Sequence, residues 1–216
     1  RGAHASVPIY SRISVAAIST RWKNIFTTDK ITADNMWTLL TAEPADGKMR
    51  PLRMLLSEEP RNLNPFTASS AYSWQVLGMI YETMLGTDPY TLEDMPALAE
   101  SWSVRTAGEG AARHTELVFK LKRGLKWSDG SPLTARDMKA SVDFIKSNKL
   151  PRFFDSVKNV RRTETPDDYT LRVVDGGRQL LVSRQHRRLP CFPKKVLDRV
   201  TDWQELGPLS DEAKSG

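Results

Sequence analysis

Three histidines, one cysteine and a scatter of aspartates carry most of the side-chain chemistry that a metal site or a catalytic centre would need. His4, His114 and His186 lie far apart, and no pair has the i, i+4 spacing that sets two ligands on one helix face, so they read as solvated surface histidines. Cys191 stands alone, which forbids an intrachain disulfide and a multi-cysteine zinc site. Asp129 and Asp137 invite comparison with an acid/base pair, yet each has local work. Asp129 sits inside the turn-forming Trp127-Ser128-Asp129-Gly130-Ser131-Pro132, and Asp137 follows Thr134 by three residues, an acidic form of the capping box. Gly108-Glu109-Gly110-Ala111-Ala112-Arg113 lacks the third glycine of a phosphate loop and leads into a strand pattern, so it reads as a hairpin turn. The nucleophile elbow G-x-S-x-G does not occur. These residues predict a chain that is not an enzyme and uses neither cofactor nor metal.

The aromatic residues are more informative. Tyr72 and Trp74 follow the Asn64-Pro65 loop, where a helix start could present them to a ligand; packing into the core is the competing use. Trp102 and Trp127 each adjoin a turn beside an apolar segment, where a large ring pins the junction, and both read as structural. Arg184, His186, Arg187 and Arg188 form a local basic cluster that reads as solvated surface. The chain has a formal net charge of +6 and a pI near 9.5. Neither half shows a stacking or groove-binding motif, so no nucleic-acid partner is expected.

The elements that would position these residues follow from periodicity. Leu52, Met54 and Leu56 alternate as in a half-buried strand, stopped by Glu58, Glu59 and Pro60, and Asn62-Leu63-Asn64-Pro65 is a loop. Leu77, Ile80, Tyr81 and Met84 fall on one helical stripe between Ser70 and Leu85, with Gly86 placed to end it. Met95 to Trp102 reads as a turn-like piece before a strand opening at Ser103-Val104-Arg105. Leu117, Phe119 and Leu121 alternate with Glu116, Val118, Lys120 and Lys122, predicting a strand. Met138, Ser141, Val142 and Ile145 predict a helix opened by Thr134 and ended near Asn148. Thr163 to Asp168 reads as a polar turn before a strand over Tyr169 to Val174. Strands and helices in this irregular order predict an α+β lobe with a mixed sheet, hairpins and amphipathic helices rather than a doubly wound nucleotide fold.

Hydrophobic residues make up 39% of the 216 residues and charged residues 27%, with a mean hydropathy of -0.46, as in a globular protein. The longest apolar stretches, Val15 to Ile18 and Val76 to Ile80, are far short of the roughly 20 residues that cross a bilayer. Residues 1 to 50 hold no sustained period and read as a loosely structured leader. The chain begins at Arg1 with no visible secretory signal, which processing or truncation would explain.

Five short motifs occur in order: Leu63-Asn64-Pro65; Ile80-Tyr81-Glu82-Thr83-Met84-Leu85; Pro96-Ala97-Leu98-Ala99-Glu100-Ser101-Trp102; Phe119-Lys120-Leu121-Lys122-Arg123-Gly124-Leu125-Lys126-Trp127-Ser128-Asp129-Gly130; and Leu133-Thr134-Ala135-Arg136-Asp137-Met138. Together they resemble the peptide and nickel solute-binding proteins of ABC importers, the extracellular solute-binding family 5. The resemblance covers about residues 52 to 174, and Leu189 to Leu197 looks like a weaker continuation. It implies two α/β lobes around a cleft that closes on a solute and presents the closed form to a membrane permease. It also implies a monomer, periplasmic or extracellular and membrane-associated, capturing a peptide, nickel complex, sugar or other small solute without catalysis.

On this resemblance, residues 1–50 are a leader, 51–175 the first lobe with its accessory subdomain, and 176–216 a divergent continuation, with the second lobe missing. Gly176 to Arg188 is rich in glycine and arginine where the family has an apolar helical stretch. The family's charged anchors for peptide termini lie mostly in the second lobe, so none is carried over. The first-lobe loop remains: Asn62, Leu63 and Asn64 would offer backbone and amide groups to a ligand, and Tyr72 and Trp74 would wall its pocket. The alternatives are a small hydrolase with unrecognised carboxylates and a basic nucleic-acid-binding module. A hydrolase needs convergent perturbed acids in a concave site, and a nucleic-acid binder needs a contiguous basic face.

Overall fold

The structure, a computed structural model, describes residues 17–29, 31–110, 113–176 and 189–204. The chain divides into two compact units, the first comprising Arg1–Leu55 with Pro89–Thr91 and the second Leu56–Asp88 with Leu92–Gly216.

In the first unit, β1 (Trp22–Lys23) pairs antiparallel with β2 (Glu43–Pro44), and α1 (Met36–Thr41) lies between them in sequence. Asn35 caps α1 by accepting from the Thr38 amide at 2.9 Å, while its own amide donates to the Phe26 carbonyl at 2.8 Å. Thr38 is buried and its hydroxyl lies 3.1 Å from the same carbonyl. Phe26 packs against Trp37 and, edge-on, against Tyr90. This segment, expected to be loosely structured, therefore holds short elements tied by capping and aromatic contacts. Leu52 to Leu56 alternates in exposure as a strand would, but forms none, because no described strand edge pairs with it.

The second unit is organised by a four-stranded antiparallel sheet of β5 (Ala99–Ala107), β6 (His114–Leu121), β7 (Val160–Asp167) and β8 (Thr170–Asp175), in the order β5-β6-β8-β7. Period-two alternation sends Leu117, Phe119, Leu121, Leu171 and Val173 to one face, where all are buried. Helix α3 (Ala135–Ser147) covers that face with Met138, Val142 and Ile145, each at most 1% exposed. The opposite face is polar: one cross-strand row runs Arg105, Glu116, Val174, Arg162 and the next Ser103, Val118, Arg172, Glu164.

Helix α3 begins and ends for identifiable reasons. The Thr134 side chain caps it, and Asp137 Oδ2 accepts from the Thr134 amide at 2.8 Å, completing the capping box. At its other end Lys149 adopts φ 49°, and the Leu150 amide reaches back to the Ile145 carbonyl at 3.1 Å, the closure that ends many helices. Leu150 is fully buried by this turn. The short α4 (Phe154–Val157) follows.

The segment 189–198 is bolted onto α3. Lys194 donates its amide to Asp137 Oδ1 at 2.9 Å, and Phe192 donates its amide to the Ser141 hydroxyl at 2.8 Å. Leu189, Cys191, Phe192 and Leu197 enter the core, and α5 (Lys194–Leu197) follows. Residues 177–188, including Arg184, His186, Arg187 and Arg188, lie outside the described residues, as does His4.

Several expectations change. The stripe of Leu77, Ile80, Tyr81 and Met84 is not one helix: α2 (Ala71–Leu77) stops at Gly78, and β3 (Leu85–Thr87) pairs with β4 (Asp94–Pro96). Gly86 thus lies inside a strand rather than ending a helix. Ile80 is left 49% exposed, whereas Met84 is buried. β5 opens at Ala99 rather than Ser103, and the polar run 163–167 is edge strand, its turn falling at Asp167 to Tyr169. Trp102 lies on the edge strand and is 36% exposed, so its packing role is smaller than its turn context suggested. Trp127 packs against the core.

Candidate solute-binding surface

The loop before α2 is shaped by two asparagines turning inward. Asn62 Oδ1 accepts from the Asn64 amide at 2.7 Å and its Nδ2 donates to Thr67 Oγ1 at 2.6 Å. Asn64 is buried; its Oδ1 accepts from the Phe66 amide at 2.8 Å and its Nδ2 donates to the Trp203 carbonyl at 3.0 Å. Phe66 anchors the loop by packing against Phe144 and Phe192. Both side-chain amides, expected to face a ligand, therefore hold the loop together, while Leu63 between them is half-buried.

Ser70 caps α2 by accepting from the Tyr72 amide at 3.2 Å. Trp74 Nε1 donates to the Ala68 carbonyl at 2.8 Å, joining the helix to the loop. Trp74 also meets Phe153 edge-to-face at 5.4 Å, and the Arg152 guanidinium lies 4.4 Å from its ring centroid. Burial lowers the Arg152 pKa from its ordinary value. Tyr72 is half-buried and, two positions before Trp74, lies roughly 200° around the helix from it. The structure thus joins Asn62, Asn64 and Trp74 into one assembly and sends Tyr72 to another side of α2. Arg152 was missed by sequence reasoning because no spacing links the α3–α4 turn to α2; the Leu150-Pro151-Arg152-Phe153 sequence itself carries no signal.

A separate depression of about 450 Å³ is rimmed by Glu100, Lys120, Arg123, Asp167 and Tyr169. Along its rim Lys120 bonds Thr170 at 2.6 Å, and Arg123 lies over the Tyr169 ring. The Thr170 hydroxyl and the Tyr169 amide hold the Asp167 carboxyl below its ordinary pKa. Asp129 accepts from the Ser131 amide and pairs with Lys195, and Asp137 serves two backbone amides, so neither forms an acid/base pair with the other. His114 is not a solvated histidine; it lies 3.3 Å from Glu116, whose carboxyl Arg105 holds below its ordinary pKa. Burial, followed by the nearby Asp137 charge, pushes the Cys191 thiol well up. No group of three or more metal-ligating side chains occurs among the described residues. The charged sheet face alternates Arg105, Arg162 and Arg172 with Glu116 and Glu164, so that this face carries mixed charge.

This arrangement, a sheet covered on one face by a capped helix and flanked by short hairpins, is the fold of a periplasmic binding protein lobe. Residues 93–175 match the model of bacterial extracellular solute-binding proteins, family 5 Middle. The chain is 36% identical over 81 residues to the dipeptide-binding protein DppE of Bacillus subtilis, covering 37% of this chain and 13% of that protein. It is 29% identical over 113 residues to the glutathione-binding protein GsiB of Escherichia coli K12, covering 51% of this chain and 20% of that protein. Among solved structures, the oligopeptide-binding protein AppA of Bacillus subtilis, in complex with a nonapeptide, superposes with a TM-score of 0.53 at 25% identity. That match covers 66% of this chain and 27% of AppA. The chain thus spans a fifth or less of the curated relatives. Among the described residues, no helix is long and apolar enough to cross a membrane.

Proposed function

We propose that this chain supplies part of the solute-capturing receptor of an ABC importer, with peptides as its solutes. The family match over 93–175 carries the reading, and its location on the capped-helix sheet unit supports it. In this role the chain is a binding protein and not an enzyme, works outside the cytoplasmic membrane, acts as a monomer and passes its solute to a membrane permease. Residues 62–74 form the ligand wall: backbone groups of Asn62 and Leu63 meet the peptide main chain, Asn64 holds the loop behind them, and Trp74 presents ring surface beside them, with Tyr72 on another side of α2. Peptide main-chain recognition suits this wall, because the loop is held rigid by its own amides and adds little ordering cost on binding.

The test is a titration of the isotope-labelled 216-residue chain with a mixed di- to pentapeptide pool, followed by amide chemical shifts. Changes concentrated in residues 62–74 are the expected result. Saturable changes confined to another surface would refute this placement of the ligand wall.

A further inference from the structure

The Arg152 guanidinium lies over the Trp74 ring, 4.4 Å from its centroid. Trp74 is itself fixed by its hydrogen bond to the Ala68 carbonyl and by Phe153 edge-on at 5.4 Å. The cation therefore stands on a shelf whose position two other contacts define. Arg162, Arg172 and Arg136 are each paired with a carboxylate, as are Lys139 and Lys195. Arg152 differs: among the described residues its guanidinium has the indole as its contact and no carboxylate beside it. Its partial burial removes water from the cation, a desolvation that no carboxylate among the described residues compensates. Stacking leaves the planar edge of a guanidinium open, and that edge matches a carboxylate in bidentate geometry.

Resting on the receptor reading above, we propose that Arg152 on its Trp74 shelf is a specificity site for a solute carboxylate. The shared chemistry is a single carboxylate, supplied by a peptide C-terminus or by an acidic side chain. The carboxylate completes the charge pairing of a cation already held in place, so little side-chain entropy is lost on binding.

The 216-residue chain is titrated with three N-acetylated peptides: Ala-Ala-Ala as the free acid, Ala-Ala-Ala amide, and Ala-Glu-Ala amide. Shifts of the Trp74 indole N–H and the Arg152 Nε–H are followed. The site predicts that at least one carboxylate-bearing peptide binds about tenfold tighter than the neutral amide. The free acid leading identifies a C-terminus reader, and the glutamate peptide leading identifies a side-chain reader; either supports the site. Arg152→Gln should erase the preference, bringing the three peptides to one affinity, and Arg152→Lys should restore part of it. Thermal melts matching the parent confirm that these exposed substitutions leave the fold intact. Equal affinity for all three peptides, or a preference that survives in Arg152→Gln, overturns the carboxylate site while leaving the receptor reading standing. Absence of any shift with all three peptides overturns both.

Discussion

Asn64 shows how a residue suited to ligand contact becomes a structural one. Its side chain accepts from Phe66 and donates to Trp203, so Asn64→Ala removes the partner of a buried amide and of a half-buried carbonyl. The substitution should cost about 2 kcal/mol, read from urea melts. An unchanged midpoint would mean that water replaces both bonds. The two structural tryptophans should separate in the same assay. Trp127, packed on the core, should lose about 3 kcal/mol on replacement by Ala, and the edge-strand Trp102 about 1 kcal/mol. Equal losses would contradict the burial difference. Glu116 makes a pH prediction. Arg105 lowers its pKa in the folded state, so the pair's stabilisation is present above the ordinary Glu value of 4.5 and is lost as pH falls through the lower folded value. Glu116→Gln should therefore be less stable than the parent at pH 7, by at most about 1 kcal/mol for so exposed an arginine, and the gap should shrink steadily as pH falls below the ordinary Glu range. A gap that widened on acidification would reverse the sign of this linkage.

Helix α3 and the segment 189–198 form the mechanical centre of the second unit, joined by Asp137 and Ser141. Cys191 sits beneath that joint, buried, and reports on its opening through its reactivity with a thiol reagent. Ser141→Ala orphans the Phe192 amide and also removes the hydroxyl that lowers the Cys191 pKa. The second effect slows labelling, so the accelerated labelling expected of this variant can arise only from opening of the segment. Labelling at the parent rate would show that Ser141 does not hold the joint. The same elements mark what was legible in the sequence. β6, β8 and α3 were readable because burial on one face imposes an unbroken period and Thr134 with Asp137 encodes the start. α2 and β3 were not, since a chance helical spacing from Leu77 to Met84 ran across a turn at Gly78. β7 looked like a turn because an edge strand needs few apolar residues. At the candidate site, sequence singled out the loop and Trp74, but not the direction of the asparagine amides or the arrival of Arg152. Those depend on contacts between segments far apart in the chain.

At the scale of the whole molecule, the sheet-and-helix unit is similar over residues 93–175 to the middle segment of a solute-binding family, and the chain spans a fifth or less of the relatives it matches. The proposed wall of residues 62–74 and Arg152 would touch a peptide from one side, and so would gain part of the apolar burial and hydrogen bonding of an enclosed site. The entropic cost of immobilising the peptide remains whole. The central claim, that this unit is one wall of a peptide receptor, is tested most directly by calorimetry of the purified 216-residue chain against a di- to pentapeptide pool, with a full-length family member as control. The account predicts saturable binding that is weak, with a Kd above about 10 μM, beside submicromolar binding by the control. Submicromolar binding by this chain would show that no second wall is needed, and the absence of saturable heat at millimolar peptide would show that it offers no wall at all; either result contradicts the account.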